Sequence, residues 1–523
     1  MGSSLERRIV RMHSDRSTPW VDLQFSAGEE LGGQIPTGVK ALASLIHLSD
    51  IHICDAASPA RLEYLDRMAD PDNPLSQLLP YVGSYRAQEF LSTQVFEAMI
   101  RAVNAIPVSP TTGNAIDSVV ITGDVIDNAQ ANELEWYHTI LEGGQVNPKS
   151  GHATLSEAAH SWTRAHYDQF YYHPDGPEAG EIPDRPHLLH GFPHFKGLRA
   201  AAEERFVAEG LRHNWLAVHG NHDALIQGSY PPDSTLNELL VGDKKLVGIG
   251  EHLDLQQLLE GYGEVGPVFY PPLDDMKVCK VTPDDTRVAI TIEEWNKVHT
   301  KCGHDHGLDS QSPTIAYYYR DFGSRVRVIC LDTVNAFGGW QGSLDRQQFD
   351  WLDSILQESQ DLLVVIASHH PLKCLFNDYV PEGIPKPAVE KEIRSLLSGY
   401  SNILLWFAGH LHDNKISRAI REDGTHNFWE IRTASHIDWP QQGRLIEICE
   451  TVEGAIVIAT SMIDHAGPLV FSGTTAELND PVGLAGFSRE LAANDWQRYK
   501  QGPHSFLSTA GETTDRNMWL WCR

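Results

Sequence analysis

The sequence predicts an α/β protein whose functional groups gather at the carboxyl edge of parallel strands. Three observations carry this. Short apolar runs alternate with helical periods in the order strand–helix–strand. Five of the strand-like runs are followed at once by Asp, Asn or His: Asp50 and His52, Asp124, Asn221, His369, and His410 with His412. The regular pattern is also broken by two irregular stretches, about 128–213 and 224–324, too long for plain loops in a compact domain.

In chain order, residues 1–41 are polar and turn-rich (Gly32-Gly33, Pro36, Gly38) and read as an arm lying on the core. Leu45–Leu48 reads as a buried strand ending in Ser49-Asp50-Ile51-His52. Alternation puts Asp50 and His52 on one side of an extended backbone, where both can reach one cation. A Pro-punctuated stretch, 58–80, precedes a helix expected over about 85–105, with Phe90, Leu91, Val95, Met99, Ile100 and Val103 on one face. Ser118–Thr122 is a second buried strand with Gly123-Asp124 at its tip. A helix carrying Leu134, Tyr137, Ile140 and Leu141 stops at Gly143-Gly144. Trp215–His219 then delivers Gly220-Asn221-His222-Asp223.

The two irregular stretches read together as a cap over the carboxyl edge. They hold a His-, Tyr- and Pro-rich segment, 167–195, and the cluster His299, Cys302, His304, His306. Regularity resumes at Val326–Asp332, followed by a helix with Ser343 as its expected N-cap. The strand Leu362–Ser368 leads to His369-His370-Pro371. A helix from about 388, closed by Gly399, leads to Ile403–Ala408 and Gly409-His410-Leu411-His412. Three further strand-like runs, about 428–433, 444–449 and 455–459, predict a second sheet. Beyond about 465 the period fades, so 465–523 is expected to pack on a catalytic domain of 42–464 as a tail.

Composition narrows the function. The 523 residues are 41% apolar, enough for a large core. The 41 basic against 70 acidic residues leave a net charge of −29, which repels phosphate backbones and anionic lipid. Nucleic acid and membrane surfaces are therefore disfavoured partners, although bound cations would invert the field locally. The seven cysteines are odd in number, scattered and without C-x-x-C, the pattern of free thiols in a reducing compartment. No apolar run approaches a membrane span, and no apolar segment follows Arg7-Arg8. The expectation is a cytoplasmic protein, with an exported form whose signal has been removed as the alternative.

A single Asp or Asn at a strand end is usually a turn or capping residue. Five such ends in sequence need another explanation, because polar groups buried at adjacent tips must be satisfied, and a pair of cations does so. The donors mix carboxylate, carboxamide oxygen and imidazole without thiolate, which suits Mn, Fe or Zn rather than a structural zinc site.

The motifs D-x-H, G-D, G-N-H-D, H-x-P (His369–Pro371) and G-H-x-H stand here in order, and the chain thereby resembles the calcineurin-like metallophosphoesterase superfamily over roughly 42–127, 214–224 and 326–450. The resemblance implies a four-layer α/β/β/α sandwich of two mixed sheets with a dinuclear metal centre. One ion would be held by Asp50, His52, Asp124 and His412, and the other by Asp124, Asn221, His369 and His410, with Asp124 bridging. His222 would face the substrate. Purple acid phosphatases, a branch of the superfamily, carry a tyrosine three residues after the G-D aspartate and no histidine in the first motif. Here those positions are Asp127 and His52. The chain thus looks like the cyclic-nucleotide phosphodiesterase and glycerophosphodiesterase branch, and its insertions and ending resemble a bacterial, largely actinobacterial subgroup.

The expected chemistry is hydrolysis of a small-molecule phosphoester, monoester or diester. Two cations activate a shared water, and His222 protonates the leaving oxygen. Asp223 is expected either to orient His222 or to brace its loop. His370 is expected either to hold its loop or to touch substrate, and His304 and His306 to approach substrate from the cap. The other readings are a nuclease, disfavoured by charge and cap, and a non-catalytic metal-binding scaffold, which would be expected to have lost a ligand or His222.

Overall fold

A computed structural model describes the chain except residues 1–2, 14–16, 71, 78–81, 162–166, 179, 251–264, 268–269, 271–272, 301–306, 310, 421–425, 500–503 and 523. Its centre is a pair of six-stranded sheets built from twelve strands. These are β1 (Val39–Leu48), β2 (Ser118–Thr122), β3 (Trp215–Val218), β4 (Tyr318–Phe322), β5 (Val326–Leu331), β6 (Leu363–Ser368), β7 (Ile403–Ala408), β8 (Lys415–Ile420), β9 (His426–Arg432), β10 (Gln442–Thr451), β11 (Ile456–Asp464) and β12 (Met518–Trp521). The first sheet has the order β12-β11-β10-β1-β2-β3 and the second β4-β5-β6-β7-β9-β8.

Strands β1, β2 and β3 run parallel, as do β5, β6, β7 and β9, while the remaining strands pair antiparallel. The parallel strands are apolar on both faces because both faces are covered. Between the sheets, Leu45, Val120 and Leu216 meet Val328, Val365 and Phe407 in one buried cluster. Outside the first sheet lie α1 (Ser92–Asn104) and α2 (Ala131–Glu142), with Phe96, Ile100, Tyr137 and Ile140 packed on Ile46 and Val119. Outside the second lie α3 (Arg346–Glu358) and α4 (Glu390–Ser398), with Leu352, Leu356, Ile393 and Leu397 on Ile366 and Trp406. The architecture is the expected four-layer α/β/β/α sandwich.

Three local expectations are corrected. The runs at 428–433, 444–449 and 455–459 do not form one sheet. Only β9 joins β5–β7, whereas β10 and β11 return to the first sheet, with Arg444 opposite His47. Helix α1 begins at Ser92 rather than near 85, because Arg86 and Glu89 are committed to buried partners: Arg86 Nε to Asp438 at 2.7 Å and Arg61 Nη2 to Glu89 at 2.8 Å. The N-cap of α3 is Asp345, which accepts from the Gln348 amide at 2.9 Å, rather than Ser343.

The chain ends carry structure of their own. Arg7–His13 and Val21–Ala27 form an antiparallel ribbon. Helix α5 (Pro481–Ala492) packs through Ala485 on Val95 and Ala98 of α1, and β12 completes the edge of the first sheet. The two long irregular stretches are tied to the loop after β1. Ser150 Oγ donates to Asp55 at 2.6 Å, and buried Arg287 reaches the same carboxylate at 3.3 Å. The Lys245 ammonium, also buried, donates to the Ala56 and Ser58 carbonyls. No helix among the described residues is long and apolar enough to cross a membrane, and the six described cysteines are free and buried.

Candidate metal centre

The carboxyl ends of β1, β2, β3, β6 and β7 meet at one place, and five of the side chains there sit on unusual backbone. Asp50, His52, Asp124, His410 and His412 all have φ between 49° and 69°. Residues with a Cβ enter this left-handed region at a cost and stay only where surrounding structure enforces it. The enforcement is visible: the His410 amide donates to both Asp50 oxygens at 2.8 and 3.0 Å, and the Asp50 and His52 amides donate to the Gly123 and Asp124 carbonyls. Two glycines permit the approach. A Cβ at Gly220 would collide with Asp124, and one at Gly409 with Ser49 and Asp50.

The result is two adjoining groups of donors. In one, His412 Nε2 lies 3.5 Å from Asp50 Oδ1 and 3.2 Å from His52 Nε2. In the other, His369 Nε2 lies 3.1 Å from both Asp124 Oδ2 and His410 Nδ1. Asp124 Oδ2 also stands 3.7 Å from His52 Nε2, so a single carboxylate faces both groups. The triplets Asp50–His52–His412 and Asp50–Asp124–His369 are each compact enough to hold a metal ion.

Asn221 supplies the test of fit. Its Nδ2 donates to the Gly228 carbonyl at 2.9 Å, which fixes the carboxamide, and its buried Oδ1 has no hydrogen-bond partner. An unsatisfied buried carbonyl is costly, and a cation removes the cost. Charge points the same way. Burial opposes ionisation of His369 and His412, yet Asp124 beside the first, and Asp50 with Asp438 beside the second, raise both to about 9. Carboxylates that draw a proton so firmly onto an imidazole also attract a metal cation. The residues present therefore fit a pair of metal ions.

Three of the four donor imidazoles are held from behind. His52 Nδ1 meets Asp127 Oδ1 at 3.0 Å, and Asp127 is ion-paired to buried Arg61. His369 Nδ1 donates to the Thr122 carbonyl at 2.8 Å. His412 Nδ1 donates to Asp438 at 2.6 Å. Such partners fix the tautomer and aim the other nitrogen at a metal. Asp438, Arg61 and Arg86 carry no signal in the sequence, and Asp127 stood out only by its spacing from Asp124.

His222 sits at the rim of this cluster. Its amide donates to Asp124 Oδ1 at 2.8 Å, and its Nδ1 donates to the Asp127 carbonyl at 2.6 Å. Its ring stands edge-on to His52, 4.7 Å between centroids. Asp223 does not orient it. Both Asp223 oxygens are taken by backbone amides, those of Val125, Ile126 and Gly220, so this buried carboxylate braces the loop. His370 is corrected too: Nδ1 is engaged by Thr333 at 2.8 Å and Nε2 by the Trp340 carbonyl at 3.0 Å, so the buried ring packs behind His369 and offers nothing to substrate. His304 and His306 lie outside the described residues, while His299 points into the core against Trp295 and Tyr137.

No family model matches the sequence, and no curated protein is similar to it by sequence. Among solved structures the chain is similar to a dimetal phosphatase from Danio rerio, at 12% identity over 81% of this chain and 97% of that one, with a TM-score of 0.34. It is also similar to PhoD, at 9% identity over 85% and 73% with a TM-score of 0.29. A third is the Thermus thermophilus sulfate thiohydrolase SoxB in complex with glycerol, at 11% identity, 83% of this chain and 58% of that chain, with a TM-score of 0.29. At these scores the overlays are partial, and the chemistry of the site rests on its own side chains.

Proposed function

We propose that this protein is a metal-dependent phosphohydrolase acting on small phosphoesters. Two divalent or transition metal ions (Mn, Fe or Zn) would be held by Asp50, His52, Asp124 and His412 on one side and by Asp124, Asn221, His369 and His410 on the other. The observation that carries the reading is the Asp124 carboxylate facing both donor groups, beside the unpartnered Asn221 oxygen.

When bound, a pair of cations lowers the pKa of a water and neutralises charge on a phosphoryl group. The chain's own contribution is position and proton supply. His222 is fixed at two points, its amide on Asp124 and its Nδ1 on the Asp127 carbonyl, which leaves Nε2 as the nitrogen that can pass a proton to a leaving oxygen. The stretches anchored through Asp55 and Lys245 would wall the site and keep it to small esters. The net charge of −29 works against polynucleotide substrates.

The test is a screen of phosphomonoesters and phosphodiesters with metal-stripped protein resupplied with Mn, Fe, Zn or Mg. The expected result is no activity when stripped and recovery at about two ions per chain. No hydrolysis with any metal, or full activity at one ion per chain, would overturn the reading.

A further inference from the structure

The C-terminal segment reaches the metal centre. In the short helix Trp496–Tyr499, Arg498 is buried, and its Nη2 donates to Asp438 Oδ2 at 2.6 Å. That same oxygen accepts the Nδ1 proton of His412, also at 2.6 Å, while Asp438 Oδ1 is held by Arg86 Nε at 2.7 Å. Asp438 is fully buried, so its position is set by these contacts and by its own amide, which donates to Ser435 Oγ at 3.0 Å.

The segment carrying Arg498 is pinned on either side. Trp496 Nε1 donates to Asp70 at 2.6 Å, Gln497 Nε2 donates to Asp66 at 2.6 Å, and Arg498 Nη1 donates to the His504 carbonyl at 3.2 Å. The guanidinium is thereby delivered to Asp438 Oδ2 from a fixed direction, with its Nε on Asp495 Oδ2 at 3.2 Å. Its planar fork suits that role better than a flexible ammonium.

We propose that Arg498 is a positioning residue for the metal centre, acting through Asp438 to aim His412 at the ion shared with Asp50 and His52. This rests on the metal-centre reading above. Carboxylates behind ligating histidines typically change metal affinity 10–100-fold when removed. The effect of Arg498 would fall on one half of the centre only, because His369, on the other half, is held by a different group, the Thr122 carbonyl.

The experiment is calorimetric titration of the stripped full-length protein with manganese. Wild type is expected to take up two ions. Arg498→Ala should keep one binding event unchanged and weaken the other about 10–100-fold, and Arg498→Lys should restore part of the loss. Adding Arg498→Ala to His412→Ala should weaken binding no further, since both act through one ligand. Additive losses, or equal weakening of both events, would overturn the proposal. If Arg498→Ala does not fold, Asp438→Asn replaces it, with the same expected pattern; unchanged binding there overturns the proposal as well. A wild type that takes up no manganese would instead overturn the metal-centre reading.

Discussion

The backbone amide of His222 donates to Asp124 Oδ1 at 2.8 Å, so the residue proposed to give a proton is registered directly on the carboxylate that faces both donor groups. The contact runs through backbone. Substituting the His222 side chain therefore leaves the carboxylate supported, and the proton-donor role can be tested apart from metal binding.

His222→Ala is expected to retain both metal ions and to lose about 10²–10⁴-fold in kcat on alkyl phosphoesters, the span usual for general acid catalysis. The loss should be much smaller on nitrophenyl esters, whose leaving groups depart without protonation. Steady-state kinetics on the two classes, with metal analysis alongside, checks this. An equal loss on both classes points to stabilisation of the phosphoryl oxygens instead.

Asn221→Leu removes the unpartnered oxygen and replaces it with an apolar group of the same branching. Stability of the stripped protein should change little, since loss of the buried unsatisfied acceptor is offset by the Gly228 carbonyl left without its donor. Metal content should fall towards one ion per chain. Thermal melts and metal analysis of the same preparation give both readings.

Asp127→Ala should destabilise the protein by about 3–5 kcal/mol, the range for leaving a buried partner uncompensated. Arg61 would keep Glu63 and Glu89, placing the effect near the lower end. His52 would lose the contact to its Nδ1, so metal affinity should fall as well. Urea denaturation of the stripped variant separates the two effects.

His47 gives a pH signature from a buried residue that is not itself a candidate metal donor. It lies between Thr122 and Thr433, its two ring nitrogens 2.7 Å from their hydroxyls, and burial with nearby Arg444 lowers its pKa to about 3. The unfolded chain binds this proton near pH 6.5 and the native state does not. Its contribution is therefore complete above pH 6.5 and is lost as pH falls towards 3, by about 1.4 kcal/mol per pH unit. His47→Gln should flatten the acid limb of stability against pH by up to one proton. An unchanged slope in urea unfolding from pH 7 to pH 4 would refute this.

The candidate metal donors were legible in the sequence because each depends on a local relation. A buried strand must end somewhere, and what stands one to four residues beyond its last apolar side chain is written there, as in Asp50, Asp124, Asn221 and His410. Helices α2, α3 and α4 were legible for the same reason, since a 3.6-residue period shows on one segment. The side-chain partners behind the histidines are a different kind of fact. Arg86 and Asp438 are 352 residues apart, and Asp438 becomes a support for His412 only when β9 and β10 bring its loop beside β1.

The same division explains the corrections. Asp223 and His370 have the residue types of catalytic groups, and each stands within two residues of a candidate ligand. Whether a carboxylate or imidazole is free to react depends on which amides and hydroxyls fold onto it, and here Gly220, Val125 and Thr333 claim them. Strands β10 and β11 carry an ordinary apolar pattern that names no partner; only closure of the first sheet beside β1 assigns them. Local chemistry thus decided which side chains could bind metal. Long-range packing decided which were aimed, since it alone imposes left-handed backbone on Asp50, His52, Asp124, His410 and His412, residues that do not adopt it by preference.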